Sequence, residues 1–302
     1  MKRNYNSFSS FLKKKFPGKK IRKIPVNAGF ACPNKTGPIS YKGCIFCDEY
    51  GSGPIRTFKE SIAYQIESFI DSHPGNHFIA YYQANSNTFA PVDLLKQKYD
   101  IALQYEKVVG LFIGTRPDTI REEAYPLLNS INKRTYLTVE LGLQSIHRKS
   151  LMFLNRNHSY EDFHTSFHKL KNLNIDVVVH LIIGIPGETL EDMRNTIRQI
   201  NMLKPAGIKL HLLHVLKDTE LFEMYKRGEI KLLEMDEYTD IIVDLIELTD
   251  PDIVIHRLTG ERDREIFVAP EWALDKNRVI TMINGKLESS DSCQGKKYID
   301  MK

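Results

Sequence analysis

No apolar stretch in this chain approaches the ~20 residues that span a bilayer. The longest run, Val177 to Ile185, is interrupted by His180 and reads as a buried strand. The sequence shows no secretory leader, and four cysteines in 302 residues are too few for a disulfide scaffold. Short-period repeats, low-complexity tracts and an obvious linker are absent as well. These absences predict a cytoplasmic protein with no membrane partner, held in a reducing compartment. Acid is missing from residues 1–23, which carry nine lysines or arginines. The remaining 279 residues hold 33 basic and 38 acidic side chains, a balance of −5. A basic arm on a mildly acidic body favours contact with phosphates, although such a terminus is equally often plain solvated chain.

Three of the four cysteines fall together. Cys32, Cys44 and Cys47 lie in Gly29-Phe-Ala-Cys-Pro-Asn and Lys42-Gly-Cys-Ile-Phe-Cys47, spaced C-x11-C-x2-C. Free structural cysteines normally scatter as small buried hydrophobes, so this grouping points to a metal. A structural zinc site needs a fourth ligand close by, and the next histidines, His73 and His77, lie 26 and 30 residues beyond Cys47. Three thiolates suit a four-iron cluster with one iron left open to a substrate or cofactor. Cys293, in a polar tail, reads as a free thiol.

Short runs rich in Val, Ile, Leu and Tyr recur at Ile24–Asn27, His77–Gln83, Val108–Gly114, Thr135–Gly142, Asp176–Gly184 and Ile208–Val215. Such continuous apolar runs fit strands buried on both faces. Amphipathic stretches lie between them, and Ser159-Tyr-Glu-Asp162 and Thr189-Leu-Glu-Asp192 have the form of helix starts with a capping acid. About six βα units follow, which pattern alone allows as an open sheet or a barrel. Asp252–Leu258 is a possible further strand, and the tail from Gly285 reads as polar and peripheral. Chemistry in parallel α/β folds gathers at the carboxyl ends of the strands. The cysteine loop, Gly114-Thr-Arg-Pro-Asp118, Glu140-Leu-Gly-Leu-Gln-Ser145 and Gly184-Ile-Pro-Gly-Glu188 all fall there.

Taken in this order, over roughly residues 20–260, these segments resemble the radical S-adenosylmethionine (SAM) superfamily, in the branch with the Elongator catalytic subunit. Cys-Pro-Asn, Gly-Cys-Ile-Phe-Cys, Ser86-Asn-Thr88, Ile255-His-Arg-Leu-Thr-Gly260 and Ala269-Pro-Glu-Trp272 are similar to the YhcC/YtqA-like (MnmL-type) bacterial family. The resemblance implies an α/β fold, a partial TIM-type (βα)6 barrel with short N- and C-terminal extensions. The divisions expected are a basic arm over 1–23, a radical SAM core over 24–260 and an extension over 261–302 packed on the barrel. The cofactors implied are a [4Fe-4S] cluster and SAM, cleaved to a 5′-deoxyadenosyl radical. The implied role is conversion of 5-carboxymethylaminomethyluridine to 5-aminomethyluridine at the tRNA wobble position. Implied partners are tRNA, a flavodoxin or ferredoxin as electron donor, and a downstream tRNA methyltransferase.

Site residues follow position by position from the resemblance. Cys32, Cys44 and Cys47 hold the cluster, and the Phe46 backbone meets the adenine. Asn87 and Thr88 meet the methionine amino end, Glu140 and Gln144 the ribose or methionine part, and Arg156 the SAM carboxylate. Ile182 and Gly184 flank the adenine. Lys209 and His211 alternate on one strand face and are candidates to point toward substrate, though buried structural roles are commoner. His180 stands where a relative carries an acid. His256, Arg257, Arg262 and Arg264 form a charged segment that suits either a nucleic-acid backbone or solvent. Two other functions compete: radical chemistry on a small metabolite or porphyrin, and a zinc-stabilised RNA-binding module without catalysis.

Overall fold

The computed structural model describes residues 4–37, 39, 42–51, 53, 55, 59–260 and 262–300, so Lys2 and Arg3 of the basic arm lie outside the described residues. Elements follow in the order α1 (Phe8–Lys15), β1 (Ile21–Val26), α2 (Pro33–Thr36), α3 (Ile62–Asp71), β2 (His77–Tyr82), α4 (Val92–Leu103) and β3 (Val108–Thr115). A 3-10 turn (Pro117–Thr119) precedes α5 (Ala124–Asn132), β4 (Tyr136–Gln144), α6 (Arg148–Phe153), α7 (Tyr160–Asn172), β5 (Asp176–Ile183), α8 (Leu190–Leu203) and β6 (Gly207–Leu212). The chain ends with β7 (Val215–Leu216), α9 (Glu220–Lys226), α10 (Met235–Leu248), β8 (Val254–Arg257), β9 (Phe267–Ala269) and α11 (Lys276–Ser289).

Seven strands form one sheet in the order β1-β2-β3-β4-β5-β6-β8, while β7 and β9 pair antiparallel by themselves. Pairing is parallel from β1 to β4, with Ile24 opposite Ala80 and Phe112 opposite Thr138. Parallel neighbours need crossovers, and the helices supply them. Residues of β2, β3 and β4 are buried almost throughout, which explains their unbroken apolar runs.

By compactness the chain divides into two units. One comprises residues 12–143 and 156–178; the other comprises residues 1–11, 144–155 and 179–302. β1 begins at Ile21.

Local signals explain the helix starts. Ser159 accepts from the Asp162 backbone N–H while the Asp162 carboxylate accepts from that of Ser159, and Thr189 with Asp192 repeats the arrangement. The tail departs from expectation. Residues around Gly285 lie inside α11, which packs on α10 and buries Val279, Ile283 and Leu287. Their four-residue spacing is a helical stripe, masked in sequence by the polar residues between. Among the described residues, no helix is long and apolar enough to cross a membrane.

Candidate active site

The three clustered cysteines lie in the first unit, directly after β1. Cys32 is the N-cap of α2, with Pro33 at the first helical position, and its carbonyl accepts from the Lys35 and Thr36 backbone N–H groups at 2.9 and 3.0 Å. Cys44 to Cys47 is a turn closed by the Cys47 N–H on the Cys44 carbonyl at 3.0 Å, which puts Phe46 in the turn between two sulfurs. Lys35 Nζ donates to the Asp48 carbonyl at 2.6 Å and ties the two ends of the loop. Burial pushes the Cys47 thiol up to about 12; Lys35 opposes this, and Cys44, Asp48 and Cys32 add to it. Among the described residues, no three His, Cys, Asp or Glu side chains converge on a single ion. A cube makes no such demand, because each cysteine takes a different corner iron.

In the loop Asn155-Arg-Asn-His158, Arg156 reaches Cys44 directly, and Asn157 does so through Asn34. Arg156 is 8% exposed, and its guanidinium donates to the Cys44 sulfur at 3.5 Å, the Gly142 carbonyl at 2.8 Å and His158 Nε2 at 3.0 Å. The His158 ring proton therefore sits on Nδ1, 3.1 Å from the Ser159 carbonyl. Burial, then the cations of Arg156 and Arg116, hold His158 down at about 3. Asn34, fully buried, donates to the Cys44 sulfur at 3.4 Å and accepts from Asn157 Nδ2 at 2.8 Å. Arg116 fixes the whole loop: it grips Asp118 through two bonds of 2.9 and 2.8 Å and donates to the Arg156 carbonyl at 2.8 Å. The sequence reading assigned no role to Asn34, Arg116, Asn157 or His158. Their signal lay in the Cys-Pro-Asn and Thr-Arg-Pro-Asp segments and in the residues beside Arg156.

The loop after β2 is knitted beneath. The Thr88 hydroxyl is 2.6 Å from that of Thr115 and 2.9 Å from that of Thr119, in a buried cluster with Ser86. Asn87 donates to the Gly114 carbonyl at 2.7 Å, yet its Oδ1 is buried with no partner among the described residues. A buried acceptor without a donor is costly, and an ammonium supplies what it lacks. The fully buried Glu140 carboxylate faces Lys23 Nζ at 3.5 Å, and that ammonium also lies over the Phe112 ring at 4.5 Å.

In the second unit, Gln144 ends β4 at φ 76°, a conformation that costs a non-glycine residue energy and clusters at functional sites. Ser145 donates to Glu188 at 2.5 Å, joining the Leu-Gln-Ser and Pro-Gly-Glu segments, and burial raises the Glu188 carboxyl. Ile182 is buried, and Gly184 sits at φ 85° with Leu233 where a Cβ would go. The His180 and His211 rings approach to 5.1 Å. His211 Nε2 is buried without a partner among the described residues, while Lys209 is 3% exposed. Burial, with His180, Arg257, Lys209 and His214 adding to it, keeps His211 neutral. His256 stacks on Phe8 at 4.2 Å, so it is not simply solvated. Cys293 is free and exposed.

Residues 32–200 match the radical SAM superfamily, and residues 205–289 match the Radical_SAM C-terminal domain. The uncharacterized protein YtqA of Bacillus subtilis is 35% identical over 98% of this chain and 93% of its own length. A tRNA uridine(34) acetyltransferase of Methanocaldococcus jannaschii is 35% identical over 45% of this chain and 25% of its own. Among solved structures, the archaeal Methanocaldococcus infernus Elp3 with an N-terminal deletion shares the fold, with TM-score 0.67 and 20% identity over 91% of this chain and 64% of that one. S-adenosylmethionine and a [4Fe-4S] cluster are the cofactors of this family. The chain belongs to the radical SAM superfamily, within its YhcC/YtqA-like group related to the Elongator catalytic subunit.

Proposed function

We propose that this protein is a radical SAM enzyme of tRNA that converts wobble 5-carboxymethylaminomethyluridine to 5-aminomethyluridine. The observation that supports the cofactor half is the match of residues 32–200 to the radical SAM superfamily, a stretch that opens on Cys32 and contains the C-x11-C-x2-C segment. Cys32, Cys44 and Cys47 hold the cluster through soft sulfur. The bound cluster and SAM supply one-electron cleavage and a hydrogen-abstracting radical. The chain positions and shields them. From the family resemblance, Asn87 Oδ1 would accept from the ammonium of the methionine part, the Phe46 backbone would meet the adenine, and Ile182 and Gly184 would flank it. Gln144 and Glu140 would serve the ribose or methionine part, as the resemblance implies. Three of the five N–H groups of Arg156 are engaged, which leaves two for the carboxylate.

A polynucleotide substrate is favoured by the basic face. Lys13, Lys14, Lys15, Lys19, Lys20 and Arg22 are all exposed, and none enters an ion pair among the described residues. The face is ordered: Phe16 meets Tyr136 at 5.9 Å, and Lys15 lies over the same ring at 4.5 Å. It sits at the opposite end of β1 from the cysteine loop, about 17 Å away along the strand at ~3.3 Å per residue. A ligand touching both must be longer than a small metabolite, and backbone phosphates suit lysines. Similarity to a tRNA uridine(34) acetyltransferase supports the same substrate class. A flavodoxin or ferredoxin supplies the electron, and a tRNA methyltransferase takes the product. Mass spectrometry of wobble nucleosides from a deletion strain tests the assignment. Accumulated 5-carboxymethylaminomethyluridine with loss of 5-aminomethyl-type uridines is expected; an unchanged nucleoside profile overturns it.

A further inference from the structure

The three cysteines are not equivalent. The Cys44 sulfur accepts two N–H groups, from Asn34 Nδ2 at 3.4 Å and Arg156 Nη1 at 3.5 Å. Among the described residues, no side-chain N–H reaches the sulfur of Cys32 or Cys47; Cys47 instead donates to the Asp48 carbonyl at 3.6 Å.

Both donors are locked in place. Asn157 donates to the Asn34 carboxamide oxygen at 2.8 Å, so the amide nitrogen must face the sulfur. Asn157 holds this position at φ 53°, a left-handed conformation that asparagine tolerates better than most residues. The Arg156 guanidinium is aligned by the Gly142 carbonyl and by His158, whose ring stays neutral and so can accept. Arg116 in turn holds the Arg156 carbonyl at 2.8 Å. A buried asparagine and a buried arginine, each oriented by further buried groups, make a built arrangement around one sulfur.

We propose that Asn34 and Arg156 are positioning residues that raise the reduction potential of the cluster through the Cys44 sulfur. This rests on the reading of Cys32, Cys44 and Cys47 as cluster ligands. A hydrogen bond donated to a ligating sulfur withdraws electron density from it. It stabilises the reduced cluster, which carries one more negative charge, more than the oxidised one. The Arg156 cation strengthens the effect, since its bond is charge-assisted. Asn34 acts without charge. The two donors would thereby ease one-electron reduction of the cluster as a whole.

The test is a potentiometric titration, followed by electron paramagnetic resonance, of the full chain reconstituted anaerobically to about four irons. Asn34→Leu removes the donor without changing any charge, and its midpoint moves to a more negative potential. Arg156→Lys keeps the cation but loses the fork, and gives a smaller negative shift that adds to the first in the double variant. A wild-type midpoint in fully loaded Asn34→Leu overturns the proposal. A second measurement needs no variant. In wild-type protein labelled with nitrogen-15 at the asparagine side chains, pulsed spectroscopy of the reduced cluster shows coupling to a labelled nitrogen; its absence overturns the proposal however the variants fold. Failure of the underlying reading looks different: a Cys44→Ala protein that keeps its full iron content.

Discussion

Arg116 Nη1 donates to the backbone carbonyl of Arg156 at 2.8 Å, across forty residues of sequence. The donor is 2% exposed, and its other nitrogens grip Asp118. A buried arginine is thus spent on the shape of one short loop, and that loop carries the side chains that reach Cys44.

Arg116→Met leaves the Asp118 carboxylate and the backbone carbonyls of Arg156 and Asn157, the latter accepting at 3.4 Å, without their donor. Breaking one partner of a buried pair costs about 3 kcal/mol or more. Anaerobic thermal unfolding of the cluster-loaded protein will show a melting point lower by several degrees. Arg116→Lys will recover only part of it, because lysine lacks the planar fork.

Each of Cys32→Ala, Cys44→Ala and Cys47→Ala will lower iron from about four per chain to a small fraction and remove the brown colour. Cys293→Ala will change neither, since that thiol is exposed in the other unit. Iron analysis with visible absorbance is the check.

His158 gives stability a direction with pH. Its folded value of about 3 lies below the ordinary 6.5, so the folded state resists protonation while the unfolded chain accepts it. The contribution is full above about pH 6.5 and is lost as pH falls toward 3, at up to ~1.4 kcal/mol per unit. Urea unfolding from pH 7.5 to 5 will show a slope that flattens in His158→Gln.

The basic face will reveal itself through salt. Binding of a wobble-uridine tRNA should weaken linearly in log affinity with log potassium chloride. Substituting Lys13, Lys14, Lys19 and Lys20 together by alanine will reduce that slope by up to about 3, at roughly 0.7–0.9 for each phosphate no longer neutralised. Spectra of the cluster will stay as in wild type. An unchanged slope would leave the face without a role in RNA binding.

Gly184→Ala will destabilise by about 1–2 kcal/mol, the cost of a side chain in the left-handed region. Leu233 Cδ1 would lie 2.7 Å from the new Cβ, but as the end of a flexible side chain it can move. Thermal melting of the variant is the measurement.

The sequence by itself determined the strands, the capped helices and the cysteine loop. These are local: apolar runs suit buried parallel strands, Ser159 and Thr189 meet an acid three residues on, and Cys32, Cys44 and Cys47 stand within sixteen residues. It misjudged α11, where Val279, Ile283 and Leu287 are apolar only along one stripe. Tertiary structure alone decided what surrounds each side chain. Thr88 was chosen from its motif; only the fold sets its hydroxyl between Thr115, at the end of β3, and Thr119. Asn34 stood in plain view beside Cys32, yet only the return of residues 156–158 turned its amide toward Cys44. Hydrogen bonds are short-ranged and directional, so which donor meets which sulfur is fixed by the folded path of the chain and not by its order.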